Sequence, residues 1–320
     1  MNSPSSAESD PGSPTPATTP PSDSRASDAG SNIAAPRPLC WSVWRELWEN
    51  RSIYIAPLAV AVVVLFGFMI STYGMPERRR GVLLMDPAKQ RALISEPYDA
   101  AAMMLIFTVF IVGVFYCLDA LYGERRDRSI LFWKSTPVSD LTTVLSKASI
   151  PLVILPLVTF AIIVVTHFVM LLWSSVVLLT SGLAGTTLTR FNLLEQSLIL
   201  LYSLIALALW HAPIYGWLLL ISGWARRATF LWAVLPVIAI QIFEKITFGT
   251  SYFGSFVKHL LFGFAPDAFD FQGRHNPTID SLAQLTPGRY LSSPGLWIGL
   301  VVAAAFLAAA VRLRRYRGPL

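Results

Sequence analysis

Four ionisable side chains lie inside or at the ends of long apolar segments, where an ionisable group is costly and is therefore a functional suspect. They are Asp119, His167, His211 and Glu244. For the two histidines, a neutral imidazole that hydrogen-bonds a neighbouring helix is favoured over transport or proton relay. Glu244 and the adjacent Lys245 are expected near a surface where both charges reach water. Asp119 is expected to pair with nearby polar groups.

These groups are not accompanied by the residue patterns of an enzyme. The chain has four His and two Cys, and it contains no HExxH motif and no Ser–His pair on a recognisable nucleophile elbow. It also lacks a GxxxxGK[ST] loop, so it cannot cradle the phosphates of ATP itself. We therefore expect no catalytic activity, no metal and no cofactor bound by this chain.

The composition is that of a membrane protein with a polar tail. Hydrophobic residues make up 54% of the chain and charged residues 14%, whereas soluble proteins have about 25% charged residues. Residues 1–36 are rich in Ser, Pro, Thr and Asp and have no apolar run, which predicts a disordered tail ahead of one domain, 37–320. The net charge of +6 is attributed to basic cytoplasmic loops, and nucleic-acid binding is not expected.

The lengths of the apolar runs predict an all-α polytopic membrane protein with six transmembrane helices. About 20 apolar residues are needed to cross the hydrocarbon layer as a helix. The long uncharged stretch 148–189 is read as one long helix followed by a loop, because its far end has the composition of a turn. The six predicted spans are 53–73, 100–118, 149–179, 197–224, 228–246 and 294–312.

The basic residues predict that both termini lie on the cytoplasmic side. In this orientation 15 of the 25 Lys and Arg residues are cytoplasmic, and the opposite orientation would place most short basic loops outside. Half of the remaining ten lie in one outer loop, 74–99, which contains the run ERRR. The charge rule does not explain this loop.

The segment 39–51 precedes the first span and is predicted to be a helix in the membrane interface. Trp41, Trp44 and Trp48 lie on one side of it, and indole rings favour the headgroup level. An alternative is that it extends the first span, but the polar residues 50–52 favour a break. Between spans five and six, an aromatic segment on the outer side either contains short helices that enter the outer leaflet or folds outside the membrane.

The central connection, which we define as residues 122–147, concentrates charge around an apolar centre. The second span is expected to continue as a helix through Glu124 and Arg128, an i,i+4 pair in the favourable order. Residues 130–133, Ile-Leu-Phe-Trp, then form an apolar group among charges.

The two halves of the central connection are expected to form a helical hairpin. Pro137 ends the first helix because it lacks an N–H and restricts the preceding residue, and Ser139 can cap the next helix. An apolar tip surrounded by charges is typical of a surface that binds another protein. The alternative is a solvated loop whose arginines only fix the topology.

The central connection resembles the signature of the ABC-2 type transporter permeases. The residues that carry the resemblance are Glu124-Arg125, Ser129-Ile130-Leu131, Ser135-Thr136-Pro137-Val138-Ser139 and Lys147. The six spans and the helix ahead of the first span also match, over about residues 37–317. The aromatic pair Phe132-Trp133 and the basic outer loop depart from the pattern and leave the substrate open.

This resemblance implies a permease subunit of an exporter in the inner membrane of a bacterium. Such chains work as homodimers or heterodimers, and each binds a separate ATPase subunit that carries ATP and Mg²⁺. The central connection would be the coupling hairpin that docks on the ATPase and drives alternating access. The residues implied as coupling contacts, with Pro137 shaping the turn, are Glu124, Arg125, Arg128, Phe132 and Trp133.

Two other functions are compatible with a polytopic chain of this kind. An ATP-independent secondary transporter or channel would be expected to show an internal repeat or several charges in the spans, and neither is visible. A membrane scaffold that binds a soluble partner through the hairpin is the other alternative.

Overall fold

The computed structural model describes residues 38–131, 138–179, 181–183, 185, 191–271, 279 and 281–316. Regular structure in these residues is helical, apart from one isolated β-bridge between Phe269 and Leu285. The helices are α1 (Pro38–Glu49), α2 (Ser52–Ser71), α3 (Met75–Leu83), α4 (Pro87–Ala120), α5 (Tyr122–Arg126), α6 (Asp140–Leu179), α7 (Leu193–Trp224), α8 (Thr229–Phe248), α9 (Tyr252–Phe262), α10 (Phe264–Ala268), α11 (Pro287–Ser292) and α12 (Pro294–Tyr316).

Six of these helices are long and apolar enough to cross a membrane, namely α2, α4, α6, α7, α8 and α12. The shortest have 20 residues, and a helix of that length spans about 30 Å, the thickness of the hydrocarbon layer. The predicted number of six spans therefore agrees with the structure. The second and third spanning helices, α4 and α6, begin ahead of the predicted spans: α4 begins at Pro87 and α6 at Asp140.

The fourth spanning helix, α7, lies at the centre of the bundle. Of its most apolar stretch 67% is buried, against 6% for α8 and 22% for α2. The crossing of α7 with α12 is close: a Cβ atom on Gly216 would lie 3.3 Å from the carbonyl oxygen of Ala303. By contrast, α2 exposes Val62, Phe66 and Ile70, as expected for a surface that faces lipid.

The helix α6 contains one irregular turn. Residues Ile150–Ile154 are π-helical, and Pro151 lies within this turn. Because Pro has no N–H, the α-helical hydrogen bond at that position is lost, and a π turn is one way to accommodate this. The N-terminus of α6 is capped as predicted: Thr142 donates its backbone N–H to the Ser139 side chain at 3.1 Å.

A break separates α1 from the first spanning helix. The helix α1 ends at Glu49, and α2 begins at Ser52. The side chains of Trp41, Trp44 and Trp48 are exposed along α1. This exposure is typical of a helix that places its indole rings at a membrane interface.

The aromatic segment between α8 and α12 folds back onto the middle of α7. Trp210 donates its indole N–H to the carbonyl oxygen of Leu260 at 3.0 Å, and the Tyr290 hydroxyl donates to that of Ala206 at 2.7 Å. Trp210 lies about half-way along α7. The length of α7 exceeds the thickness of the hydrocarbon layer by less than half of the helix, so the middle of α7 lies within that layer whichever end protrudes. The contact therefore favours short helices that enter the membrane over a loop that stays outside it.

Candidate functional site

Charged side chains from four helices meet at one end of the bundle, in what we call the buried charge cluster. Its members are Arg45 and Glu46 of α1, Glu124 of α5, Asp140 and Lys147 of α6 and Arg314 of α12. These six residues comprise three cations and three carboxylates, and the half-exposed Glu49 lies at the edge of the cluster, 3.7 Å from Arg45 Nε. Since α1 and the last turn of α12 both contribute, the two ends of the domain lie at the same end of the bundle.

Lys147 is at the centre of this cluster. Its Nζ atom lies 2.8 Å from Glu46 Oε1 and 3.1 Å from Glu124 Oε1. The lysine side chain is 3% exposed and that of Glu46 is 1% exposed. The hydroxyl of Tyr116 also donates to Glu46 Oε2 at 2.9 Å. Removing two charges from water costs several kcal/mol each, and only close partners with good geometry offset this cost.

Arg314 connects the last helix to the same carboxylates. Its Nη1 atom donates to Glu124 Oε2, and its Nε atom donates to Asp140 Oδ1 at 3.1 Å. Arg45 lies on the other side of the cluster, with Nη2 2.8 Å from Glu46 Oε1. Helices α1, α5, α6 and α12 are therefore fastened together by charge-assisted hydrogen bonds, which are stronger than neutral ones.

The Glu46 carboxyl shows how the cluster is held at neutral pH. Burial raises the pKa of this group, but Lys147 and Arg45 more than compensate, so its pKa lies below the ordinary value of 4.5. A carboxyl whose pKa is lowered on folding stabilises the folded state above its unfolded pKa. That stabilisation is lost as the pH falls through the lowered pKa.

The short helix α5 is also fixed to the end of α7. The Oγ atom of Ser222 accepts hydrogen bonds from the backbone N–H groups of Leu121 and Tyr122, at 3.0 and 2.9 Å. Arg125 Nη1 donates to the carbonyl oxygens of Gly223 and Ala225, at 2.8 and 3.2 Å. These carbonyls are at the C-terminus of α7, where a cation is favourable.

We expect Ser222→Ala to destabilise the protein by about 2 to 4 kcal/mol, because one buried and one partly buried N–H group lose their shared acceptor. Ser222 is fully buried, so water cannot replace the hydroxyl. The measurement is thermal unfolding of the purified protein in detergent. Ser292→Ala is a suitable control, since that hydroxyl is exposed and bonds within its own helix. Equal stability of the two variants would contradict the assigned role of Ser222.

The residues predicted to contact an ATPase lie in different environments. Glu124 and Arg125 are buried and bonded within the chain, as described above. Arg128 is exposed. Phe132, Trp133 and Pro137 lie outside the described residues. Their roles as coupling contacts stay predictions.

The expected helix from Glu124 through Arg128 is wrong. Helix α5 ends at Arg126, and Arg128 has a φ of 59°, in the left-handed region. The physical reason is the position of Glu124, which faces inward to Lys147 and Arg314 and therefore forms no helical pair with Arg128.

The two histidines are hydrogen-bonded to backbone. His167 Nε2 lies 3.0 Å from the carbonyl oxygen of Tyr98 in α4, and since a carbonyl only accepts, this nitrogen carries the proton. In His211, Nδ1 faces the carbonyl oxygen of Leu207 at 2.9 Å and Nε2 that of Leu261 at 3.1 Å. A neutral imidazole carries one N–H, so His211 donates to one of these two carbonyls, and the Nε2–H tautomer connects α7 to α9.

The two acidic candidates form local contacts. The carboxylate of Glu244, in α8, accepts the backbone N–H groups of Tyr252 and Phe253 at 2.6 and 2.8 Å and so caps α9. Asp119 Oδ1 lies 3.9 Å from Arg126 Nη1, and both side chains are more than half exposed. Neither residue is in contact with the buried charge cluster. In the described residues, no group of His, Cys, Asp and Glu is arranged to hold a metal ion.

Sequence reasoning did not identify Glu46, Asp140, Arg314 or Ser222 as site residues. In the sequence, Glu46 is one of several charged residues on the side of α1 opposite the Trp residues, and Arg314 is one of several arginines near the end of the chain. One signal was present, because Glu46 is flanked by three Trp residues that must face outward together. A carboxylate on the opposite side of such a helix faces the protein.

The six long apolar helices define the class, a multi-pass membrane protein whose regular structure is helical over the described residues. Comparisons of the chain with protein-family models, with curated proteins and with solved structures found no match. A function is therefore proposed from the geometry of the buried charge cluster and the connection that it holds.

Proposed function

We propose that this chain is the transmembrane permease subunit of an ABC transporter that exports its substrate, driven by a separate ATPase bound to the central connection. The observation that supports this most is the buried charge cluster. It fastens both flanks of the connection, through Glu124 and Lys147, to α1 and α12. A partner bound between these flanks would act on several spanning helices at once.

The described part of the connection has the surface of a protein-binding element. Arg126, Asp127 and Arg128 are exposed, and Leu131 is 58% exposed beside them. Ile130 is buried, so the segment is anchored from within while its neighbours face outward. Mixed charges around an apolar centre give both specificity and contact area with a partner.

The fastening also supports a mechanism of alternating access. The central connection contains α5, which follows α4, and the first turns of α6. The buried charge cluster links it also to α1 and α12. Because interiors are close-packed, a displacement of the connection is transmitted to these helices rather than absorbed. In this mechanism ATP binding by two ATPases moves two connections and tilts two paired permease chains between inward-facing and outward-facing states. ATP and Mg²⁺ would be bound by the partner, since this chain has no P-loop.

The test is affinity purification of the tagged chain from its native membranes in mild detergent, with mass spectrometry of the proteins that accompany it. We expect a P-loop ATPase at near-stoichiometric level. Replacing the apolar tip with Phe132→Ala and Trp133→Ala should reduce that ATPase at least tenfold, the effect of losing a buried aromatic anchor of about 2 kcal/mol.

The control removes the same two residue types from another exposed surface. Phe230→Ala with Trp232→Ala changes α8, where both side chains are about half exposed. This pair should leave the ATPase bound. A chain that purifies without any ATPase in several detergents would instead favour a secondary transporter or a scaffold. Retention of the ATPase by the variant with Phe132→Ala and Trp133→Ala would show that these two side chains are not part of the docking surface.

A further inference from the structure

A cleft of about 440 Å³ lies at the end of the bundle opposite the buried charge cluster. It is formed where α2 ends, α3 crosses and α4 begins, within the basic outer loop that the charge rule left unexplained. Its lining combines an apolar wall with two arginines and one carboxylate. The lining residues used below are Phe68, Arg78, Arg79, Leu93, Ile94, Glu96 and Ala100.

The two arginines differ in their surroundings. Arg79 is 7% exposed although it lies on a nine-residue helix at the edge of the bundle. Burial lowers the pKa of its guanidinium, but arginine stays protonated at neutral pH. Arg78 is exposed, and its Nη2 atom donates to the carbonyl oxygens of Ser71 and Tyr73 at 2.7 and 2.6 Å. It thereby closes the C-terminus of α2 over the cleft.

The charge in the cleft favours an anion. Among the described residues that line the cleft, the one carboxylate, that of Glu96, is exposed, whereas Arg79 is buried. A cation in surroundings of low dielectric attracts an anion more strongly than one in water does. Two guanidinium groups in one cleft provide donors that match the oxygens of a phosphate.

The remaining walls of the cleft are apolar and border the lipid-facing surface. Phe68 and Ile94 are buried at its base, and Leu93 is exposed at its side. Ile70, in the last turn of α2, is 62% exposed. Because α2 has 20 residues, its end lies about 30 Å from its start. If α2 begins at the headgroups of one leaflet, beside the buried charge cluster, the cleft at its end is level with the headgroups of the opposite leaflet.

We propose that this cleft binds the phosphate headgroup of an anionic membrane lipid through Arg78 and Arg79, with the acyl chains lying along Leu93 and the outer face of α2. A basic pocket beside transmembrane helices is a recognised form of lipid recognition. A lipid at this site also explains why an outer loop retains arginines. This proposal does not depend on the proposed transporter function.

The test is native mass spectrometry of the full chain, purified in a neutral detergent and titrated with dioleoylphosphatidylglycerol. We expect one lipid bound per chain at low lipid excess, and weaker binding of the zwitterionic dioleoylphosphatidylcholine. Arg79→Gln should weaken phosphatidylglycerol binding about tenfold or more, as expected for loss of a charge-assisted hydrogen bond. Arg80→Gln is the matched control, since it removes the same charge from the same helix outside the cleft.

A second variant tests the cleft without changing its charge. Ala100→Phe adds a ring at an exposed lining position and should also weaken binding, while size-exclusion profiles verify that all variants are folded. Equal affinities of the Arg79→Gln and Arg80→Gln variants would overturn the proposal, and so would unchanged binding by Ala100→Phe. Competition by millimolar inorganic phosphate would assign the site to a free anion and overturn the lipid assignment.

Discussion

Lys147→Ala is expected to lower the free energy of unfolding by about 3 to 5 kcal/mol, the cost of breaking a buried ion pair by removing one partner. The two carboxylates that share this ammonium group, Glu46 and Glu124, are both nearly inaccessible to water. Without Lys147, the cluster holds one uncompensated negative charge. The measurement is thermal unfolding of the purified chain in detergent, followed by intrinsic tryptophan fluorescence.

A double variant separates loss of the charge pair from loss of packing. Lys147→Met with Glu46→Gln leaves Glu124 and Asp140 beside Arg45 and Arg314, so the positive and negative charges of these four residues are again equal. We expect it to recover more than half of the stability lost in the single variant Lys147→Met, which removes the charge but keeps most of the side-chain volume. Lys89→Ala is the control for lysine removal at an exposed position. If Lys147→Ala were no less stable than Lys89→Ala, the cluster would not hold the helices together.

Gly216→Leu is expected to cost about 3 kcal/mol, the upper part of the range for overpacking in a well-packed interior. A Cβ atom alone would lie 3.3 Å from the Ala303 oxygen and from Phe306 Cβ. The first of these is a backbone atom of α12, which can move only if the whole helix moves. The three side-chain carbon atoms of leucine beyond Cβ are therefore expected to push α12 away from α7.

Gly67→Leu is the matched control for this change. Gly67 lies within α2, and a Cβ atom there would meet nothing within 4 Å. Leucine also has a higher helix propensity than glycine, so the control is expected to be neutral or slightly stabilising. Thermal unfolding distinguishes the two variants, and a melting temperature for Gly216→Leu as high as that of Gly67→Leu would show that the α7–α12 crossing is looser than described.

The number of spanning helices could be predicted from the sequence because it depends only on local composition. The bilayer requires about 20 apolar residues per helix, and each such run is visible in the sequence. The predicted span begins at residue 100, because Lys89, Arg91 and Glu96 interrupt the apolar run ahead of it. Charged residues do not end a helix outside the hydrocarbon layer, so α4 begins at Pro87.

The spacing of residues in the sequence singles out the central connection, but it does not show which of its side chains are buried or what they contact. Glu124 and Arg125 are predicted to contact a partner, and that role stays a prediction; their burial and their bonds within the chain are given only by the tertiary structure. Ser139, by contrast, was correctly predicted as a helix cap, because a cap requires only the neighbouring residues.

The sequence by itself determined the all-helical class, the six apolar spans and the aromatic face of α1, since each follows from composition within a single segment. Only the tertiary structure decided the buried charge cluster and the cleft between α2, α3 and α4. The partners in the cluster are far apart along the chain: Lys147 is 101 residues from Glu46, and Arg314 is 190 residues from Glu124. The sequence around a charged residue does not indicate its ion-pair partner, because pairing depends on which helices pack together.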